Sequence, residues 1–242
     1  MNLFYFSSPS TFYRFAGWSA PWFFVVAAVL AAWGLWQGFF VAPTDAQQGD
    51  AYRIIFIHVP AAWMSMFLYF VLACYGALTL TFNTRLSAMM ARAIAPTGAL
   101  FTLLALWTGS FWGRPTWGTD WVWDARVTSE LVLLFLYFGF IALANAFDEP
   151  RRGDRAAALL AIIGIINLPI IYFSVYWWNT LHQGSSINFK GTTMHVAMLT
   201  AMILMTFACW SYAIGVTLVR VRAIIVERER RTQWVRALGA GR

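Results

Sequence analysis

Residues 112–129 read WGRPTWGTDWVWDARVTS, with Trp112, Trp117, Trp121 and Trp123 set among Gly113, Pro115 and Gly118 and closed by Asp124 and Arg126. The stretch lies between two long apolar runs, yet it is too polar to span a bilayer and too aromatic for an ordinary connection. That interruption decides the fold. The runs on either side are separate membrane helices, and the stretch between them sits at a membrane surface. Indole rings offer large rigid apolar faces with one N–H donor each. Several of them on a short element make a platform suited to a large planar apolar guest.

Working outward, the rest of the chain repeats the apolar pattern. Of 242 residues, 60% are hydrophobic and 11% charged, with a mean hydropathy of +0.62. Soluble domains carry about 25% charged residues, so this is the composition of an integral membrane protein. Six apolar stretches approach the roughly 20 residues a spanning helix needs. They lie near 18–41, 54–80, 92–112, 127–147, 157–178 and 194–219. Membrane strands would be shorter and would alternate apolar with polar residues. The expectation is an all-α integral membrane protein, a single six-helix domain over 1–242 with the tryptophan segment 112–129 exposed on one side and a basic tail at 220–242. Pro60 and Pro96 fall near expected helix starts, where proline is tolerated, while Pro169 with Asn167 predicts a kink in the fifth helix.

The net charge of +7 raises nucleic acid as a partner, but the charge follows topology instead. With both termini cytoplasmic, only Arg53, Arg114, Arg126 and Lys190 fall outside, and the other thirteen of seventeen basic residues fall inside. That is the positive-inside bias, and it puts the tryptophan segment outside. The tail from Arg220 reads as a basic segment attracted to anionic membrane lipid. The first fifteen residues, MNLFYFSSPSTFYRF, lack the pattern of a cleavable signal peptide. Cys74 and Cys209 lie far apart inside apolar runs, without a CxxC or CxxCH motif, which argues against a disulfide framework or covalently attached heme.

The same topology gathers the candidate chemistry on one face. His58 falls near the outer end of the second helix, His182 in the last outer segment (179–193), and His195 about one turn into the sixth helix. An isolated histidine near a helix end is ordinarily structural. The tryptophans alter that reading, because ten of 14 fall in the outer half and only Trp18, Trp22, Trp210 and Trp234 in the inner half. A belt that merely anchored the protein in lipid would be closer to even. Porphyrin iron has two axial positions, for which neutral imidazole is a favoured ligand. Heme propionates would need cations, and Arg53, Arg114, Arg126 and Lys190 are the outer candidates, arginine being suited to bidentate carboxylate pairing. Asp124 is open between two roles, shaping the segment through an indole N–H or Arg126 and capping the helix before Val127. No P-loop, dinucleotide fingerprint, nucleophile motif or intramembrane carboxylate string is present, so no enzymatic activity is expected.

With these residues in view, WGRPTWGTDWVWDARVTS resembles the WWD signature of the heme-handling proteins of cytochrome c maturation. Six helices, the chain length, and single histidines before and after the signature resemble the heme exporter protein C (CcmC) family. The resemblance covers essentially the whole chain. It implies a protein of the bacterial inner membrane that binds heme b at the periplasmic face, with His58 (in FIHVPAAW) and His182 (in NTLHQGSS) as axial ligands. Trp112, Trp117, Trp121, Trp123 and Asp124 would form its heme platform. The implied partners are the heme chaperone CcmE, the small membrane protein CcmD, and the ABC transporter subunits CcmA and CcmB. His195 has no counterpart in that pattern and is read as structural. The alternatives are a permease subunit conducting heme across the membrane and a membrane enzyme joining heme to protein.

Overall fold

A computed structural model describes residues 7–182, 184, 187–188 and 191–240. Six of its helical segments are long and apolar enough to cross a membrane: Pro9–Val41, Asp50–Phe82, Arg85–Trp117, Ala125–Asn145, Pro150–Trp177 and Val196–Arg228. They coincide with the six expected runs, and the protein is an all-α multi-pass membrane protein. Helix α1 (Pro9–Trp36) ends in a π turn, Gln37–Val41, and a 3-10 turn at Asp50–Ile54 leads into α2 (Ile55–Phe82). Then come α3 (Arg85–Trp117), α4 (Ala125–Asn145), α5 (Pro150–Gly164) and α6 (Asn167–Trp177). The strands β1 (Ile187–Asn188) and β2 (Gly191–Thr192) pair antiparallel before α7 (Val196–Arg228) and the short α8 (Gln233–Ala240).

Small residues set the closest helix contacts. Ala16, Ala20, Ala27 and Gly34 are the buried apolar positions of α1, and a Cβ on Gly34 would sit 3.0 Å from the Met205 side chain of α7. Lacking a hydrophobic drive between helices in lipid, such small-residue faces let dispersion contacts hold the pair. In the centre, Tyr69 and Tyr137 are fully buried, with rings 5.1 Å apart. Tyr137 fills the space left by Gly98 on α3 and donates its hydroxyl to the Ser65 carbonyl at 2.8 Å. A side chain at position 98 would displace that ring.

Several boundaries differ from the sequence expectation. Helix α3 begins at Arg85, so Pro96 lies well inside it rather than near its start. The turn around this proline is served by Arg220 of α7, whose Nη1 donates to the Ala93 carbonyl (2.6 Å) and the Thr97 hydroxyl (2.9 Å). At its other end α3 continues through Trp117, so Trp112 and Trp117 are helical and only residues 118–124 connect to α4. His195 lies just before α7 as its N-cap, not one turn inside. The basic stretch from Arg220 starts as part of α7. The fifth span is interrupted between Gly164 and Asn167, at the kink the sequence predicts, with Ile165 and Ile166 keeping right-handed helical angles, and the Asn167 amide donates to the Ser129 carbonyl of α4 at 2.9 Å.

Candidate functional site

The first turn of α2 carries His58 and packs beside the last turns of α3. There His58 Nδ1 lies 3.0 Å from the Thr108 hydroxyl. That hydroxyl has one proton, and it is directed at the Leu104 carbonyl at 2.7 Å. Thr108 therefore accepts from His58, Nδ1 carries the ring proton, and the Nε2 lone pair is left free. The ring fits against Gly109, where a Cβ would stand 3.1 Å from His58 Cε1. Trp112 meets it edge-on at 5.6 Å.

His182 reaches the same tautomer by another route. Its Nδ1 is 3.2 Å from Asp124 Oδ2, and the Thr180 hydroxyl donates to that same oxygen. The other oxygen, Oδ1, accepts from the Val127 backbone N–H at 2.8 Å, so Asp124 is also the N-cap of α4. Burial pushes the Asp124 carboxyl up, but the hydrogen bonds from Thr180, Val127 and His182 outweigh it and hold the group below its usual range. Burial lowers the His182 pKa, an effect only partly opposed by Asp124. A neutral imidazole thus donates Nδ1–H to a carboxylate, and Nε2 is again free. The Trp117 ring lies 4.7 Å from the His182 ring, inclined by 60°.

Two cavities meet between these histidines. The larger is open, about 730 Å³, and the smaller, about 50 Å³, lies toward Glu130. His58, Met66, Gly109, Trp117, Arg126 and His182 line both. The larger volume falls within the roughly 300–1,000 Å³ of pockets that hold large organic ligands. Two free imidazole nitrogens on a shared, mainly apolar wall with a guanidinium beside them are a donor set that fits an iron porphyrin.

The remaining candidates divide. Trp112 lines the larger cavity and donates Nε1–H to Gln48 Oε1 at 2.7 Å. Trp121 lines the smaller one, its buried Nε1 without a hydrogen-bond partner. Trp123 is 73% exposed, stands edge-on to Trp121 at 5.4 Å and lines neither cavity. Three of the four indoles therefore wall the site, from different directions rather than in one plane, and Trp123 stands outside it. Among the candidate cations Arg126 faces both cavities, and its one hydrogen bond among the described residues, to the Ile171 carbonyl, is long at 3.3 Å. Arg53 is spent on structure, donating to Gly38 and Ala42 carbonyls and to Asp50. Arg114 is exposed, 3.9 Å from Asp120. Lys190 lies outside the described residues. Thr108, Thr180 and Gln48, which sequence reasoning did not single out, hold the rings in place. Only Thr108 left a trace, one helical turn before Trp112 on the same face of α3.

Known proteins resemble this chain over nearly its whole length. The family model for heme exporter protein C matches residues 2–236. Heme exporter protein C of Escherichia coli (strain K12) is 46% identical over 230 residues, covering 95% of this chain and 93% of that protein. The Haemophilus influenzae protein of the same name is 43% identical over 234 residues, 96% of this chain and 95% of the relative. A putative cytochrome c biosynthesis ccmC-like mitochondrial protein of Marchantia polymorpha is 48% identical over 187 residues, 77% of this chain and 79% of its own length. With a family model spanning nearly the whole length and relatives this similar end to end, the chain belongs to the heme exporter protein C (CcmC) family.

Proposed function

We propose that this protein holds heme b at the periplasmic face of the bacterial inner membrane and presents it to the heme chaperone CcmE during cytochrome c maturation. It acts without catalysis, in company with CcmD and the ABC transporter subunits CcmA and CcmB. His58 and His182 bind iron through Nε2, Trp112, Trp117 and Trp121 wall the porphyrin, Arg126 is the leading propionate partner, and Asp124 fixes His182. The observation that carries the reading is the common tautomer. Two histidines from distant parts of the chain each commit Nδ1–H to an acceptor and turn toward the same cavities. Those two nitrogens would hold the iron when heme is bound.

Presentation at one face is favoured over conduction because the bundle beneath the smaller cavity is filled by Tyr69, Leu72, Leu133 and Tyr137, all fully buried. The test is the absorption spectrum of protein purified with heme. A six-coordinate bis-histidine spectrum is expected, lost in His58→Ala and His182→Ala and partly restored by added imidazole. Retention of that spectrum in either variant would remove the residue from the ligand set. Labelling of Thr119→Cys by a membrane-impermeant reagent in intact cells checks the orientation; labelling from the cytoplasmic side alone overturns it.

A further inference from the structure

The cavity has a third histidine, with the opposite proton arrangement. His195 lines the larger cavity together with Met194, Met198, His58 and His182. Its Nδ1 accepts from the Ala197 backbone N–H at 3.2 Å. An accepting nitrogen carries the lone pair, so the neutral ring holds its proton on Nε2. His58 and His182 are the reverse, with Nδ1 protonated and Nε2 bare.

The position is well supported. Ala197, Met198, Ala201 and Met202 of α7 are buried in one cluster with Ile55 and Phe56 of α2, the helix turn that carries His58. The cavity wall bearing His195 is thereby tied to the wall bearing the first proposed ligand. Asp45, the acidic side chain among the described residues lining this cavity, is turned into its own loop, accepting from the Gln47 and Gln48 N–H groups. It therefore leaves the His195 donor available to a guest.

We propose that His195 reads the acidic edge of the guest, donating Nε2–H to a carboxylate of bound heme rather than coordinating iron. This rests on the heme reading above. The three histidines then divide the work by tautomer: two bare nitrogens for a metal, one N–H for a carboxylate. A hydrogen bond to an ionised carboxylate is stronger than a neutral one, and at an exposed position its loss costs about tenfold in affinity.

The experiment titrates the detergent-purified full-length protein, freed of heme, with heme and with heme dimethyl ester, whose carboxylates are blocked. His195→Ser keeps a side chain able to cap α7 but cannot reach the cavity as an N–H donor. His195→Thr, also a capping residue and without an N–H donor, serves as a second variant should the serine protein be poorly folded. The wild type should prefer heme over the ester. Each variant should lose about tenfold for heme, change little for the ester, and keep the six-coordinate spectrum. Equal weakening for both guests would make the ring an apolar wall, and no change for either would make it a helix cap only; both outcomes overturn the proposal. Loss of the six-coordinate spectrum in the variants alone would make His195 a ligand and also overturn it. A wild type that shows no bis-histidine spectrum defeats the ligation reading itself, a separate failure.

Discussion

The two ends of the helix bundle treat polar groups in opposite ways. At the end away from the tryptophan segment, Asp154 is buried and accepts from Arg92 Nε at 2.6 Å and from Arg228 Nη1 and Nη2 at 2.8 and 3.0 Å. Arg92 spends its other nitrogens on Asn145 Oδ1 and the Ala144 carbonyl. This one cluster ties α3, α4, α5 and α7 together with nearly every donor used. Arg222, whose Nε has no hydrogen-bond partner, lies instead over the Tyr13 ring at 4.4 Å. At the tryptophan end the buried polar groups are incompletely matched: two bare imidazole nitrogens, an indole N–H without a partner, and a guanidinium with one long hydrogen bond. A saturated cluster fixes helices, whereas an unsaturated one beside a cavity has bonding capacity for a guest.

The largest effect that could break this contrast is at the saturated end. Asp154→Ala leaves two largely buried guanidinium groups without their carboxylate, and removing one partner of a buried pair costs about 3–5 kcal/mol. Thermal unfolding in detergent should shift strongly downward, while whatever folded protein remains keeps its bis-histidine spectrum. A variant of normal stability that has lost heme would invert the assignment of the two ends.

Next in size is Asp124→Asn, which acts through His182. Replacing the group that orients a metal-binding histidine typically costs about 10–100-fold in affinity, and a carboxylate partner places this variant toward the upper figure. The pH dependence sharpens the test. The His182 pKa is lowered in the fold from an ordinary value of about 6.5, so the unfolded chain binds more protons and stability falls as the pH drops below that value. The Asp124 pKa is also lowered, so its contribution is present above the ordinary carboxylate value of about 3.9 and is lost as the pH falls through its folded value. Both make acid unfavourable, and heme should be held at pH 7 and released as the pH falls below about 6.5 and through the lowered His182 value. Because Asp124 opposes the lowering at His182, Asp124→Asn should weaken heme at pH 7 and lower the pH at which the imidazole of the heme-free protein is protonated. An unchanged pH of imidazole protonation, followed by NMR of the heme-free protein, would show that Asp124 acts some other way.

Thr108→Val is the matched test on His58. A hydroxyl is a weaker acceptor than a carboxylate, so the loss in heme affinity should be about tenfold, the lower end of the same range. A larger loss than from Asp124→Asn would make His58 the more dependent ligand.

Much of this was legible in the sequence, and the omissions have physical causes. The six spans follow from hydropathy because lipid requires every backbone group to be bonded within the helix. The end of α3 was hidden because Gly113 and Pro115 look like breakers, whereas the helix persists with the Thr116 hydroxyl donating to the Trp112 carbonyl at 2.6 Å. The actual stop is Gly118, at φ 77°, whose N–H caps the Arg114 carbonyl. His58 and His182 could be read as sharing one face. Their partners Thr108 and Thr180 could not, since the first depends on how α2 lies against α3 and the second on how Thr180 and His182 lie against Asp124. Pairing within Arg92, Asp154 and Arg228 was likewise invisible, because it joins three helices.

The smallest expected effect separates residues that the sequence treats alike. Trp117 meets the His182 ring and lines both cavities, and Trp121 lines the smaller one, while Trp123 lines neither and is largely exposed. Losing a large aromatic costs about 3–5 kcal/mol in a packed core and less where neighbouring rings close in, whereas substitution of an exposed side chain changes stability by about 0.5 kcal/mol or less. Trp117→Ala with Trp121→Ala should therefore weaken heme retention in a protein that still inserts. Trp123→Ala should hold heme to within about twofold of wild type, the equivalent of about 0.5 kcal/mol. Heme titration of the three proteins side by side decides the matter. Equal losses in the double variant and in Trp123→Ala would mean that Trp123 turns inward when heme binds, and the wall would then include the whole tryptophan segment.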